Sequence, residues 1–206
     1  MSELQQIIYV VDDDEAMRDS MTWLLEGEGY TVACFESAEA FLKARHNRMR
    51  GCIVLDVRMP EMSGLELHEK LDGMGSQLPI IFVTGHGDVP MAVAALQRGA
   101  CDFIEKPFHN EDLLSRIHRA LALDKQLSER HQRDSAISLR IDQLTQRERE
   151  VMQLVIAGKL NKQVADELDI SMKTVEAHRA RVMEKMQVRT LAELVQAVMS
   201  IKPLEN

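Results

Sequence analysis

The chain has 206 residues, of which 45% are apolar, and a formal net charge of −8. This length is comfortable for two globular domains, and the composition allows each half to bury a core. No apolar run reaches the roughly 18 residues that a membrane span needs, and the first residues lack the basic segment of a secretion signal. Cys34, Cys52 and Cys101 are far apart and odd in number, which favours buried thiols over a zinc site or a disulfide framework. These features predict a cytoplasmic protein without membrane contact.

Charge is distributed unevenly along the chain. Residues 1–122 carry 11 Lys and Arg against 20 Asp and Glu, whereas residues 140–206 carry 11 against 10. Within residues 171–189, five basic side chains stand against two glutamates. An acidic N-terminal part and a locally basic C-terminal part indicate two modules with different partners.

Five short apolar, β-branched runs mark the front of the chain, at residues 7–11, 31–35, 52–56, 79–84 and 102–106. Segments with helical periodicity lie between and after them, at residues 14–28, about 37–47, about 64–74, about 88–98 and 111–122. Strands that alternate with helices of this length require parallel crossovers. We therefore predict an α/β doubly wound, five-stranded parallel sheet.

Polar residues follow the carboxyl ends of these strands: Asp12, Asp13 and Asp14 after the first, Asp56 in the third, Thr84 in the fourth and Lys106 in the fifth. Asp56 alone would be taken for a turn aspartate, but ligands of such sheets bind at this edge, where the strand order reverses. Clustered carboxylates favour a cation, and a set of oxygen ligands suits Mg²⁺. A metal ion and a lysine around one aspartate are what phosphoryl transfer to that aspartate requires. Asp14 fits better as the N-cap of the first helix.

The set Asp12/Asp13, Asp56, Thr84 and Lys106-Pro107, spaced by 43, 28 and 22 residues from Asp13 onward, resembles the receiver domain of bacterial two-component response regulators. The resemblance implies that Asp56 accepts a phosphoryl group from a sensor histidine kinase. It also implies that Asp13 and the main-chain carbonyl of Arg58 join Asp56 on Mg²⁺, with Asp12 acting mainly through water. Thr84 would hydrogen-bond the phosphoryl oxygens and Lys106 would pair with them. Phe103 would be the aromatic side chain that moves inward on activation, and Pro107 resembles the family's cis-proline.

Beyond the predicted receiver domain at residues 1–122, residues 123–139 contain neither Gly nor Pro and predict a helical linker. Residues 140–206 predict helices only. Thr145 and Glu148 form a capping-box pattern, and a helix at about 161–168, a short turn and a longer helix at 172–187 indicate helix-turn-helix organisation. The string "LTQRE…L…AG…NK.VA..L.IS..TVE.HR..V..KM" resembles the LuxR-type DNA-binding domain. The whole chain is thus similar to response regulators of the NarL/FixJ group, closest to the FixJ side.

The resemblance places residues 172–187 in the major groove of DNA. Glu176, Ala177 and Ala180 share one face and are the candidates to meet base edges; the alternative for Glu176 is an ion pair with Arg179 or Lys173. The candidate phosphate contacts are Lys162, Lys173, Thr174, Arg179, Arg181 and Lys185. The implied partners are a histidine kinase, double-stranded promoter DNA, a second copy of the phosphorylated chain, and RNA polymerase.

Two other functions are alternatives. A phosphatase of the haloacid-dehalogenase type needs a second acid two residues after its nucleophile, and that position holds Arg58. A DNA-binding protein with a degenerate receiver would lack acceptor-site residues, all of which are present. We therefore expect no enzymatic activity other than phosphoryl transfer to the chain's own aspartate.

Overall fold

The computed structural model describes residues 5–85, 93 and 99–201. Its contacts divide the chain into two compact units, Met1–Ser128 and Glu129–Asn206, a division that falls inside the predicted linker. None of the described helices combines the length and apolar character needed to cross a membrane.

The first unit is built on a parallel sheet of five strands in the order β2-β1-β3-β4-β5. The strands are β1 (Ile7–Val11), β2 (Val32–Phe35), β3 (Gly51–Asp56), β4 (Ile80–Thr84) and β5 (Asp102–Glu105). The helices described between the strands are α1 (Glu15–Gly27), α2 (Ala38–Ala44) and α3 (Gly64–Gly73). The predicted doubly wound sheet is confirmed, whereas the helix predicted at about 88–98 lies outside the described residues but for residue 93.

Both faces of the sheet are buried, as the continuous apolar runs require. One face packs Tyr9, Val11, Ile53 and Leu55 against α2 and α3, and the other packs the alternate strand residues against α1 and the helix that follows β5. Asp14 and Ser37 cap α1 and α2 through their side chains, as their residue types favour.

Gly51, the first residue of β3, allows this strand to lie close to Ile7, the first residue of β1. Its φ is 123°, and a Cβ atom there would come within 1.8 Å of the carbonyl oxygen of Ile7. No other residue type fits this position without displacing the backbone.

Helix α4 (Asn110–Asp142) follows β5 and runs without interruption through the predicted linker. Its first part buries a stripe of residues three and four positions apart, Leu113, Ile117, Ala120 and Asp124. Asp124 is 5% exposed, and Arg50 pairs with it through Nε–oxygen distances of 3.1 Å and an Nη2–oxygen distance of 3.0 Å. Gln6 donates a further hydrogen bond of 2.7 Å to the same carboxylate.

In the second unit the end of α4 is followed by α5 (Gln146–Ile156), α6 (Asn161–Leu168), α7 (Met172–Met186) and α8 (Leu191–Ile201). The predicted capping box of Thr145 and Glu148 is present at the start of α5. Asp169 has a left-handed backbone, with a φ of 53°, and ends α6 before α7 begins. The helices enclose two apolar clusters, one of which includes Val164 and Val175 and so joins α6 to α7.

Candidate phosphoacceptor site and nucleic-acid interface

The acidic cluster lies where the strand order of the sheet reverses, between β1 and β3. Asp12 directly follows β1 and Asp56 ends β3, and these strands pair with Val11 opposite Leu55. One oxygen from each of Asp12, Asp13 and Asp56 lies within 4.8 Å of the others. Asp12 and Asp56 are buried and Asp13 is exposed, so the cluster opens to solvent on one side.

Lys106 is the cation of this cluster. Its Nζ lies 2.7 Å from Oδ2 of Asp56 and 3.0 Å from Oδ2 of Asp12. Burial by itself lowers the pKa of Lys106, but the hydrogen bonds to the two carboxylates outweigh burial and leave this pKa above its usual value. Burial raises the pKa of Asp12, although hydrogen bonds from Lys106 and the Asp14 amide oppose the rise.

The donor set fits Mg²⁺. Three carboxylates converge, and Lys106 beside them supplies one positive charge. Convergent oxygen ligands with an open side suit an ion that keeps several of its waters. Asp56 uses Oδ1 to accept the Arg58 amide at 3.1 Å. Asp12 uses Oδ1 to accept the Asp14 amide at 2.9 Å, so main-chain groups orient both buried carboxylates.

The two predicted switch residues, Thr84 and Phe103, lie near the same edge of the sheet and make contacts outside the acidic cluster. Thr84 is fully buried at the end of β4, and its hydroxyl donates to the Gly85 carbonyl at 3.1 Å. Phe103 is partly buried against the core that contains Tyr9 and Phe82. The Lys106–Pro107 peptide bond is cis, as the resemblance implied. The structure thus gathers Asp12, Asp13, Asp56 and Lys106 directly, and places Thr84 one strand away.

Helix α7, the predicted recognition helix, has one buried and one exposed side. Val175, Val182 and Met186 are buried in the second unit. Glu176, Ala177 and Ala180, the predicted base-reading residues, are all exposed. Spacings of three and four residues place them on a single stripe of the helix.

The predicted phosphate contacts differ in their surroundings. Lys162, Lys173 and Arg181 are exposed. Thr174 shares a hydrogen bond of 2.8 Å with the Ser171 hydroxyl, and Arg179 donates to the Asn161 side chain at 2.6 Å. Lys185 is 2.6 Å from a carboxylate oxygen of Glu148 and also donates to the Gln143 carbonyl.

Among the described residues, sequence reasoning missed two charged pairs whose carboxylate is buried, Glu148–Lys185 and Arg50–Asp124. Both carboxylates had a detectable signal, because each is an acid on the apolar stripe of its helix. Glu148 continues the spacing of Val151, Met152 and Val155, and Asp124 continues that of Ala120. An acid at such a position is buried only with a partner. The identity of the partner depends on tertiary structure.

Two protein families match the chain. Residues 8–118 match the response regulator receiver domain, and residues 142–198 match the bacterial regulatory proteins of the luxR family. The response regulator protein TmoT of Ectopseudomonas mendocina is 46% identical over 98% of this chain and 92% of its own length. The transcriptional regulatory protein FixJ of Bradyrhizobium diazoefficiens is 46% identical over 93% of this chain and 94% of its own.

Two solved structures are similar across both units. The response regulator StyR has a TM-score of 0.83 and 42% identity, covering 95% of this chain and 98% of its own. Full-length FixJ from B. japonicum has a TM-score of 0.60 and 44% identity, covering 98% of this chain and 100% of its own. Residue pattern, fold and relatives agree, and they do not support the hydrolase alternative. The chain belongs to the two-component response regulators of the FixJ type, transcriptional regulators that join a receiver domain to a LuxR-type DNA-binding domain.

Proposed function

We propose that this regulator is controlled by phosphorylation of Asp56, with a sensor histidine kinase as the phosphoryl donor. The observation that carries the proposal is the position of the Lys106 ammonium, 2.7 Å from Asp56 and 3.0 Å from Asp12. A fixed cation beside the acceptor carboxylate lowers the cost of bringing a phosphoryl group to it.

In the proposed transfer, a carboxylate oxygen of Asp56 forms a bond to phosphorus. The bond from phosphorus to the kinase's histidine nitrogen breaks, and the imidazole keeps the electron pair. Lys106 then pairs with the transferred oxygens. Asp12, Asp13, Asp56 and the main-chain carbonyl of Arg58 would hold Mg²⁺, with Asp12 acting mainly through water. Bound there, the ion supplies positive charge to the phosphoryl oxygens.

Thr84 and Phe103 are the proposed switch. The Thr84 hydroxyl now donates to the Gly85 carbonyl, and phosphoryl oxygens on Asp56 would offer it charged acceptors, which make stronger hydrogen bonds. Movement of Thr84 toward Asp56 would leave space for Phe103, which is partly buried against the neighbouring core. Phosphorylation would thereby change the surface around β5.

The proposed output is binding to promoter DNA by a phosphorylated homodimer that contacts RNA polymerase. We propose a receiver domain at residues 1–122, a linker at 123–139 and a DNA-binding domain at 140–206. On α8, Leu191 and Met199 expose about 40% of their surface, which supports pairing of two chains through this helix.

The cytoplasm is the proposed location, and the free thiols of Cys34, Cys52 and Cys101 suit its reducing conditions.

Phosphoryl uptake is tested with acetyl phosphate, by measuring the mass of the intact protein with and without Mg²⁺. Asp56→Asn removes the nucleophile and nearly preserves its shape, so we expect no mass gain and no phosphate-dependent DNA binding. Asp14→Asn is the matched control, because Asn caps helices as well as Asp and this variant should label normally. Labelling of the Asp56 variant, or labelling without Mg²⁺, would contradict the proposed site.

Base reading by Glu176 is tested by measuring binding to duplexes with single-base changes. A glutamate can accept a hydrogen bond from the cytosine amino group, so Glu176→Ala should remove discrimination at one half-site position, about 1–3 kcal/mol. Arg181→Ala should weaken binding to every duplex and lower the salt slope by about one unit per monomer. If Glu176→Ala leaves discrimination unchanged at every position, Glu176 does not read a base.

A further inference from the structure

The last turn of the predicted recognition helix α7 is attached to the rest of the second unit by an ion pair whose carboxylate is buried. Lys185 lies in that turn, and its Nζ is 2.6 Å from Oε2 of Glu148, near the start of α5. The same Nζ donates to the main-chain carbonyl of Gln143 at 3.2 Å. Two bonds therefore connect the side chain of Lys185 to residues outside α7.

Glu148 is buried where a lone charge would be costly. It is 2% exposed and lies on the apolar stripe of α5. The carboxylate oxygen that accepts from Lys185 also accepts the main-chain amide of Thr145 at 2.8 Å. Charge-assisted bonds of this kind are stronger than neutral ones, and the hydrogen bond from Lys185 holds the pKa of Glu148 below its usual value. Glu148 is therefore charged at neutral pH and needs its partner.

A third residue holds the same end of the helix. Arg140, in the last part of α4, donates to the carbonyl of Met186, the final residue of α7, at 3.3 Å. Lys173 and Arg181, by contrast, extend from the exposed side of α7. The basic side chains of this region thus divide into those that hold the helix in place and those that are open to a ligand.

We propose that Glu148 is a positioning residue for DNA recognition, acting through Lys185, and that Lys185 does not contact a phosphate. The inference rests on the proposed function of α7 as the recognition helix. The ion pair fixes the rotation of α7 about its axis and the placement of its last turn. Both determine where Glu176 and Ala180 meet base edges, because supporting contacts must hold reading residues to within a fraction of an ångström.

The alternative role for Lys185 predicts different binding data. A lysine that contacts phosphate contributes about 0.9 units per monomer to the salt slope and acts alike on all sequences. A lysine that positions the helix changes discrimination between sequences and leaves the salt slope unchanged. Measuring both the salt dependence of binding and the discrimination between sequences distinguishes a phosphate contact from a positioning role, whereas thermal stability alone does not.

The test uses the full-length phosphorylated chain and two DNA probes. One probe is a duplex that the wild type enriches from a random-sequence library, and the other is a shuffled duplex of the same composition. Lys185→Met and Glu148→Gln should each reduce the ratio of the two affinities about tenfold, with the salt slope unchanged. The double variant should lose no more than either single one, because both remove the same ion pair.

Lys185→Arg and Glu150→Gln are the controls. Arginine can reach the same carboxylate, so Lys185→Arg should retain the wild type's discrimination between the two probes. Glu150 is on the same helix as Glu148 but pairs with Arg147 at 2.7 Å, so its neutralisation should leave discrimination unchanged. Equal weakening on both probes with a lower salt slope in Lys185→Met, or unchanged discrimination in folded Lys185→Met and Glu148→Gln, would overturn the positioning role. A wild type that enriches no duplex would instead overturn the proposed function, and this inference with it.

Discussion

Lys106→Met tests how the acidic cluster is held together in the absence of metal. The substitution keeps a long apolar side chain and removes the ammonium that pairs with Asp56 at 2.7 Å and with Asp12 at 3.0 Å. At about 3 Å and an effective dielectric constant near 20, each pair is worth roughly 5 kcal/mol of attraction. The cost of burying the charges offsets most of this, and breaking a buried pair usually costs about 3–5 kcal/mol. We therefore expect the substitution to lower the free energy of unfolding of the first unit by about 3 kcal/mol at neutral pH in EDTA.

The loss of stability in Lys106→Met should depend on pH and on Mg²⁺. Asp12 has a pKa above its usual value in the folded chain, so the folded state binds more protons than the unfolded state and is stabilised as the pH falls. The difference in unfolding free energy between the wild type and Lys106→Met should therefore shrink toward acid pH, where Asp12 becomes protonated. Added Mg²⁺ should stabilise the variant more than the wild type, because it restores positive charge between the carboxylates.

Amide hydrogen exchange in β3 provides the measurement, since this buried strand exchanges through opening of the first unit. Lys70→Met is the matched control, because Lys70 is an exposed lysine of α3 and its loss should cost less than about 0.5 kcal/mol. Acetyl phosphate labelling of Lys106→Met should slow by on the order of 100-fold. An unchanged opening free energy in EDTA would refute the view that Lys106 holds the buried acids together.

Three further outcomes follow from individual contacts. Arg50→Met leaves Asp124 buried without its ion-pair partner and should destabilise the first unit by about 3 kcal/mol in urea unfolding, while labelling by acetyl phosphate is retained. Gly51→Ala should prevent normal folding of that unit, seen as lost protection from hydrogen exchange, because the added Cβ meets a main-chain oxygen at 1.8 Å. In the second unit, the lowered pKa of Glu148 contributes stability that is complete above about pH 4.5 and is lost as the pH falls through that lowered pKa. Glu148→Gln should therefore flatten the acid limb of a circular dichroism titration, and an unaltered limb would contradict this assignment.

The sequence by itself determined the sheet and the position of its functional edge. Apolar β-branched runs alternating with helical segments leave one topology class, because parallel strands need helical crossovers. The carboxyl ends of parallel strands lie at one edge, so Asp12, Asp56 and Lys106 could be assigned to a common site from their places in the chain. The capping residues Asp14 and Thr145 were also evident, since capping is a local interaction.

Tertiary structure alone decided the ion-pair partners of Lys185 and Arg50. Lys185 reads as a phosphate contact in the sequence, but the fold brings it to Glu148, 37 positions away, and Arg50 meets Asp124 across 74 positions. Local periodicity shows that an acid lies on an apolar stripe, but it carries no information about distant neighbours. Burial then selects the partner, because a carboxylate withdrawn from water is stable only beside a cation that the packed chain supplies.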